Sequence, residues 1–134
     1  MICLDSSFII DCLENDQSAK KIYEKYKNEI LYIAETSIFE VGRGAIFSDS
    51  KNKTFPHKFN IFIDLISELQ ILPSLNLHSL ESAKISAELA LKGIQIDDGD
   101  CMIAGLMKLN GISKIITRNK KHFSKIKGIQ ALNY

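Results

Sequence analysis

The sequence predicts an α/β fold, a parallel sheet whose strands are joined through helices by right-handed crossovers. Three observations carry that expectation. Short apolar runs at Met1–Leu4, Ile30–Ala34 and Lys114–Thr117 alternate with stretches of helical period. The first run is apolar throughout, as a strand buried on both faces requires. Polar side chains follow the strands: Asp5 after the first, Thr36, Ser37 and Glu40 after the second, Thr117, Arg118 and Asn119 after a late one. In such sheets, sites form outside the carboxyl ends of the strands.

Each element has a local reason. Met1 to Leu4 is a buried strand ending at Asp5. Ser6 or Ser7 caps a helix over Phe8, Ile9, Ile10 and Leu13. Asp16 caps a second, with Ala19, Ile22, Tyr23 and Tyr26 on one face. Ile30–Ala34 is the second strand. Thr36 or Ser37 opens a third helix with the stripe Ile38, Val41, Gly42 and Ala45. Gly42 and Gly44 lower helix propensity, so close packing is expected at both. Ser48–Thr54 is polar and reads as a loop. Thr54 and Pro56 start a helix to about Leu69, with Phe59, Phe62, Ile63 and Ile66 inside. Ile71 and Leu72 form a short strand stopped by Pro73. Ser79 opens a helix to about Lys92, ended by Gly93. A helix from about Gly99 is closed by Gly111. Then come the strand Lys114–Thr117, a polar turn Arg118–Lys121, a short helical piece Phe123–Ile126 and an edge strand Ile129–Leu132.

The bulk composition sets bounds. A chain of 134 residues suits one domain, spanning 1–134. With 17 basic and 16 acidic residues its formal charge is +1, which does not mark a strongly basic nucleic-acid binder. Cys3, Cys12 and Cys101 are odd in number and form no C-x-x-C, so they read as apolar core residues in a reducing compartment. No apolar run approaches about 18 residues, so no membrane span is expected. The start lacks a basic n-region, so no signal peptide is expected and the location is expected to be cytoplasmic.

The stretch Ile96-Asp97-Asp98-Gly99-Asp100-Cys101-Met102-Ile103-Ala104-Gly105 concentrates the chemistry. Asp100 has Ile103, Ala104 and Met107 at helical spacings, so it points along the buried face. A carboxylate there must be paired, protonated or bound to a cation. Asp97 and Asp98 read as a turn and a cap. Asp5, Glu40 and Asp100, with Asn119 and Thr117, would gather at one sheet edge. Oxygen donors without a Cys or His cluster point to Mg²⁺ or Mn²⁺. His57, His78 and His122 have no ligand spacing to one another and read as surface or packing histidines. No phosphate-cradling glycine loop occurs. Arg118, Lys120, Lys121, Lys125 and Lys127 flank the acids and are the better candidates for holding a nucleic-acid backbone.

Four blocks carry a resemblance: Leu4-Asp5-Ser6-Ser7-Phe8-Ile9-Ile10-Asp11, Thr36-Ser37-Ile38-Phe39-Glu40-Val41-Gly42-Arg43-Gly44, Asp100-Cys101-Met102-Ile103-Ala104-Gly105 and Ile116-Thr117-Arg118-Asn119-Lys120-Lys121-His122-Phe123. In order and spacing the chain resembles the PIN-domain nucleases, most closely the VapC-type toxins of toxin–antitoxin pairs. The resemblance implies a three-layer sandwich with a central parallel sheet of four or five strands. It implies a Mg²⁺- or Mn²⁺-dependent endoribonuclease that leaves a 5′-phosphate and a 3′-hydroxyl, with Asp5, Glu40 and Asp100 on the metal-binding positions. It also implies a homodimer and a cognate antitoxin that blocks the site. The family's fourth position is usually an acid; here the block offers Asn119, and His122 where some relatives carry an acid. That departure leaves the second metal site open and keeps a rival in view, a catalytically weakened RNA-binding or assembly module. A phosphoryl-accepting receiver fold is the other rival. It lacks its D-x-D and the lysine that should end a late strand.

Overall fold

The computed structural model describes residues 1–54, 56–73 and 77–134. In chain order the elements are β1 (Ile2–Leu4), α1 (Ser6–Leu13), α2 (Gln17–Tyr26), β2 (Leu31–Ile33), α3 (Glu35–Asn52), α4 (His57–Ser67), β3 (Gln70–Ile71), α5 (His78–Ala90), α6 (Asp98–Leu109), β4 (Lys114–Ile116), α7 (Lys120–Phe123) and β5 (Gln130–Leu132). Among the described residues the strands form one five-stranded sheet of order β3-β2-β1-β4-β5. Every pairing is parallel, with Cys3 opposite both Tyr32 and Ile115, and Leu4 opposite Ile33 and Ile116. The apolar run at the start is therefore the middle strand. Its hydrogen-bonding edges are both occupied, so it needs no charged or proline guard.

The two-residue period of the strands builds two cores. Cys3 and Ile115 face Ile85 and Leu89 of α5, Ile103, Ala104 and Met107 of α6, and Phe123 of α7. Ile2, Leu4, Ile33 and Ile116 face Phe8 and Ile9 of α1, Ala19 of α2, Val41 of α3 and Phe62 of α4. Helices thus cover both faces of the sheet in three layers, as expected. Cys3 and Cys101 are buried and all three cysteines are free thiols. Asp16 caps α2, accepting from the N–H of Ser18 and Ala19.

Four local expectations fail, the first and the third for a tertiary reason. Ser48–Asn52 is the last turn of α3 and not loop. Asp49 within it is buried, and its carboxylate accepts from the N–H of Lys58 and Phe59 and the hydroxyl of Thr54. Those bonds tie the end of α3 to the start of α4, and Lys53 then stops α3 in the left-handed region. The helix expected to open at Thr54 and Pro56 begins at His57; Phe55 lies outside the described residues. Ile63, expected inside, is exposed, because Phe62 fills the space against α3. The short helix near the end begins at Lys120, three residues before the expected Phe123, because Asn119 accepts the first turn's N–H groups.

Helix approach explains one expected glycine and not the other. A Cβ on Gly42 would stand 3.3 Å from Phe62 Cε1, whereas one on Gly44 would meet nothing within 4 Å. The tightest approach lies between α5 and α6, where a Cβ on Gly105 would stand 2.2 Å from Ser82 Oγ and 2.9 Å from the Ser82 nitrogen. That hydroxyl already donates to the His78 carbonyl. The two glycines should respond oppositely to alanine in urea unfolding. Gly105→Ala should cost about 1–3 kcal/mol by overpacking. Gly44→Ala should add about 0.5–1 kcal/mol by helix propensity.

Candidate functional site

Asp5 ends the middle strand. Its backbone N–H bonds to the Ile116 carbonyl, so β4 fixes its position. It stands at the N-cap position of α1, yet its side chain makes no cap hydrogen bond. Its Oδ2 accepts instead from Ser7 Oγ at 2.6 Å and Thr117 Oγ1 at 2.7 Å. Ser6 and Ser7, read as cap candidates, lie inside the helix, and Ser7 serves this carboxylate. Thr117 is fully buried and also accepts from the N–H of Asn119, which locks the loop after β4. A buried carboxylate with two hydroxyl donors on one oxygen leaves the other oxygen for a ligand.

Asp100 enters the same edge from the first turn of α6. Asp97 is that helix's cap and accepts from the Gly99 N–H. Asp98 is exposed beside it. Asp100 is only 7 % exposed, and Ile103, Ala104 and Met107 along its face are buried. Asp100 Oδ2 meets His122 Nδ1 at 2.6 Å and accepts from Asn119 Nδ2 at 3.0 Å. Asn119 Nδ2 and His122 Nδ1 lie 3.1 Å apart. Burial raises the Asp100 carboxyl above its ordinary range; the bond to His122 pulls the other way, and the negative charge of Asp5 pushes up again. His122, read as a surface or packing histidine, is partly buried in the fold and bonded to Asp100. Its position three residues after Asn119 was the available signal, since residues at that spacing share a helix face.

Glu40 projects from the second turn of α3 and is exposed. Its Oε1 lies 3.7 Å from where a Cβ on Gly99 would stand, so it faces the start of α6. One turn earlier on α3, the buried hydroxyls of Thr36 and Ser37 have no hydrogen-bond partner among the described residues. Both were expected to open α3, which Ala34 opens instead. The donor set suits a hard divalent cation: two buried carboxylates that repel each other, a third at the mouth and orphaned hydroxyls nearby. The described residues hold no group of three His, Cys, Asp or Glu gathered to hold a metal ion. The acids therefore flank the edge without closing on one point.

Beyond the acids the surface turns basic. Arg118, Lys120, Lys121, Lys125 and Lys127 are exposed. Arg118 is steadied through one nitrogen, Nη2, at 2.5 Å from Asp11 Oδ1. Asp11 is itself buried and accepts from the Tyr134 hydroxyl. The guanidinium is thus held by one ion pair at the rim of the site and stays largely exposed.

A family model described as PIN domain matches residues 2–129. The fold is similar to a chain of VapBC2 from Rickettsia felis bound to a promoter DNA fragment, at 22% identity and TM-score 0.81, covering 100% of this chain and 99% of that one. It is similar to DNA-bound VapBC from Salmonella typhimurium at 24% identity and TM-score 0.81, covering 98% and 96%. A Mycobacterium tuberculosis toxin described as cleaving the sarcin–ricin loop, VapC20, aligns at 12% identity and TM-score 0.63, covering 86% and 87%. No curated protein matches the sequence.

The environment of Asp100 has a consequence for stability. Its folded carboxyl binds a proton more tightly than the unfolded one, so its contribution is fully present below the unfolded value and is lost as pH rises through the folded value. In chelator, Asp100→Asn should raise the melting temperature at about pH 7, with the gain vanishing toward about pH 3. A loss of stability at neutral pH would contradict this account of the site.

Proposed function

The chain belongs to the PIN domain family, and from that premise we propose that it is a Mg²⁺- or Mn²⁺-dependent endoribonuclease, the toxin of a toxin–antitoxin pair. One observation carries the reading. Asp5 and Asp100 are both buried at one sheet edge, where their charges oppose each other and Glu40 stands at the mouth. Structural acids are not ordinarily arranged to repel; a cation relieves the repulsion.

In this reading Asp5, Glu40 and Asp100 hold the cation and Asn119 assists. When bound, the cation supplies a water of lowered pKa and positive charge beside the phosphate oxygens. The chain's own groups prepare that state. Ser7 and Thr117 fix Asp5 through Oδ2, and Asn119 and His122 fix Asp100 through Oδ2. Fixed carboxylates cost no reorganisation when charge gathers on the substrate. Arg118, Lys120 and Lys121 bind flanking RNA phosphates and set the backbone across the edge. Hydrolysis joins the water's oxygen to phosphorus, and the departing 3′ oxygen takes up a proton.

The structures named above include toxin–antitoxin complexes. Ile38, Phe39, Ile46, Phe47 and Ile63 line an apolar groove between α3 and α4, with Phe39 and Phe47 each 69% exposed. Apolar surface of that kind supports a protein partner, the antitoxin or a second copy in a homodimer. Among the described residues no helix is long and apolar enough to cross a membrane, and the cytoplasm is the proposed location. Asn119 favours a second reading, because it brings no charge to the fourth position. The protein would then bind RNA or assemble without cutting.

Incubation of the purified protein with RNA and Mg²⁺ decides between them. Cleavage should stop in chelator and fall by more than about 100-fold in Asp100→Asn, beyond the usual cost of losing an outer partner of a metal. Asp97→Asn should cut at nearly the normal rate and mainly alter stability. Cleavage surviving both chelator and Asp100→Asn would sink the metal mechanism. RNA binding without cleavage would favour the second reading.

A further inference from the structure

We propose that Asp100, Asn119 and His122 form one face of a divalent-cation site in which His122 Nδ1 is a direct nitrogen ligand. The inference rests on the cation-dependent reading above and names the atoms that stand where a fourth acid would be. His122 Nδ1 and Asp100 Oδ2 are 2.6 Å apart, Asn119 Nδ2 and Asp100 Oδ2 are 3.0 Å apart, and Asn119 Nδ2 and His122 Nδ1 are 3.1 Å apart. Around an octahedral cation with ligands at about 2.1 Å, neighbouring donor atoms lie about 3 Å apart. Two of the three edges match such a face, and the shorter Nδ1–Oδ2 edge opens when the hydrogen bond between those atoms gives way to a cation. The amide oxygen and nitrogen of Asn119 exchange places by a half-turn of the side chain, so its carbonyl can occupy the third corner. Three lone-pair donors then converge. They repel one another unless a cation lies between them, or a proton does. Without a cation, the Nδ1–Oδ2 hydrogen bond and the Asn119 amide N–H fill that role.

The frame is built to hold these corners. Asn119 caps α7 and His122 stands one turn on, so both side chains lie at the same end of that helix. Buried Phe123 anchors α7 against the core. Asp100 comes from α6, whose next turns are buried. A nitrogen ligand also alters metal choice. Mg²⁺ takes oxygen and dehydrates reluctantly, whereas imidazole suits transition metals, so His122 tilts the site toward Mn²⁺.

Electron paramagnetic resonance of Mn²⁺ added to the metal-free full chain tests the proposal. The expected spectrum carries hyperfine coupling to a directly bound nitrogen, which moves on labelling histidine with the heavier isotope and disappears in His122→Gln. That variant should bind Mn²⁺ about 10-fold more weakly or worse, with a smaller loss for Mg²⁺. His122→Asp should restore affinity without nitrogen coupling. Mn²⁺ bound with no nitrogen coupling overturns the proposal and leaves the nuclease reading standing if RNA is still cut in a chelator-sensitive way. Weaker binding by His122→Gln with no coupling in the unaltered protein makes His122 a positioning partner of Asp100, which also overturns it. Failure to bind Mn²⁺ at all overturns both.

Discussion

Two carboxylates of like charge, Asp5 and Asp100, are buried at one edge of a parallel sheet, and much of the chain serves to hold them there. The middle strand delivers Asp5 from between two neighbours. Helix α6 delivers Asp100 from its first turn, where the helix dipole helps tolerate negative charge although the nearby Asp97 carboxylate opposes it. Hydroxyls from α1 and from the end of β4 satisfy one oxygen of Asp5, and the loop into α7 satisfies one oxygen of Asp100. A stable fold that only needed a core would fill these positions with apolar groups at less cost. The repulsion is retained, which is why the edge reads as a place for a cation.

Much of the architecture was legible because it depends on local period. The apolar run of β1 and the stripe of α6 state their burial directly, and the alternation of strand and helix implies parallel pairing. What was not legible depended on distant partners. Ser48–Asn52 looks like loop in composition, but one buried carboxylate, Asp49, collects the first N–H groups of α4 and keeps the turn helical. Ile63 fits the helical stripe by spacing yet faces solvent, because a single ring, Phe62, occupies the approach to Gly42.

The site divides in the same way. Asp100 could be singled out from its neighbours by helical spacing alone, and Asp97 and Asp98 separated from it. His122 could be set beside Asn119 by the last block but not joined to Asp100, since no motif links it to an aspartate 22 residues earlier; only the folding of α7 against α6 makes the contact. Ser7 and Thr117 were visible as strand-end hydroxyls, but not as the donors of one carboxylate. Their role follows from the parallel pairing of β1 with β4, which sets the two loop starts side by side.

In the proposed reading a divalent cation relieves the repulsion between Asp5 and Asp100. Thermal unfolding of the metal-free chain, titrated with Mg²⁺ and with Mn²⁺, tests it most directly. Binding to the folded state alone makes the melting temperature climb with cation concentration. That climb is expected for the unaltered protein and is lost in Asp5→Asn. A melting temperature that ignores both cations, or climbs equally in Asp5→Asn, would contradict it.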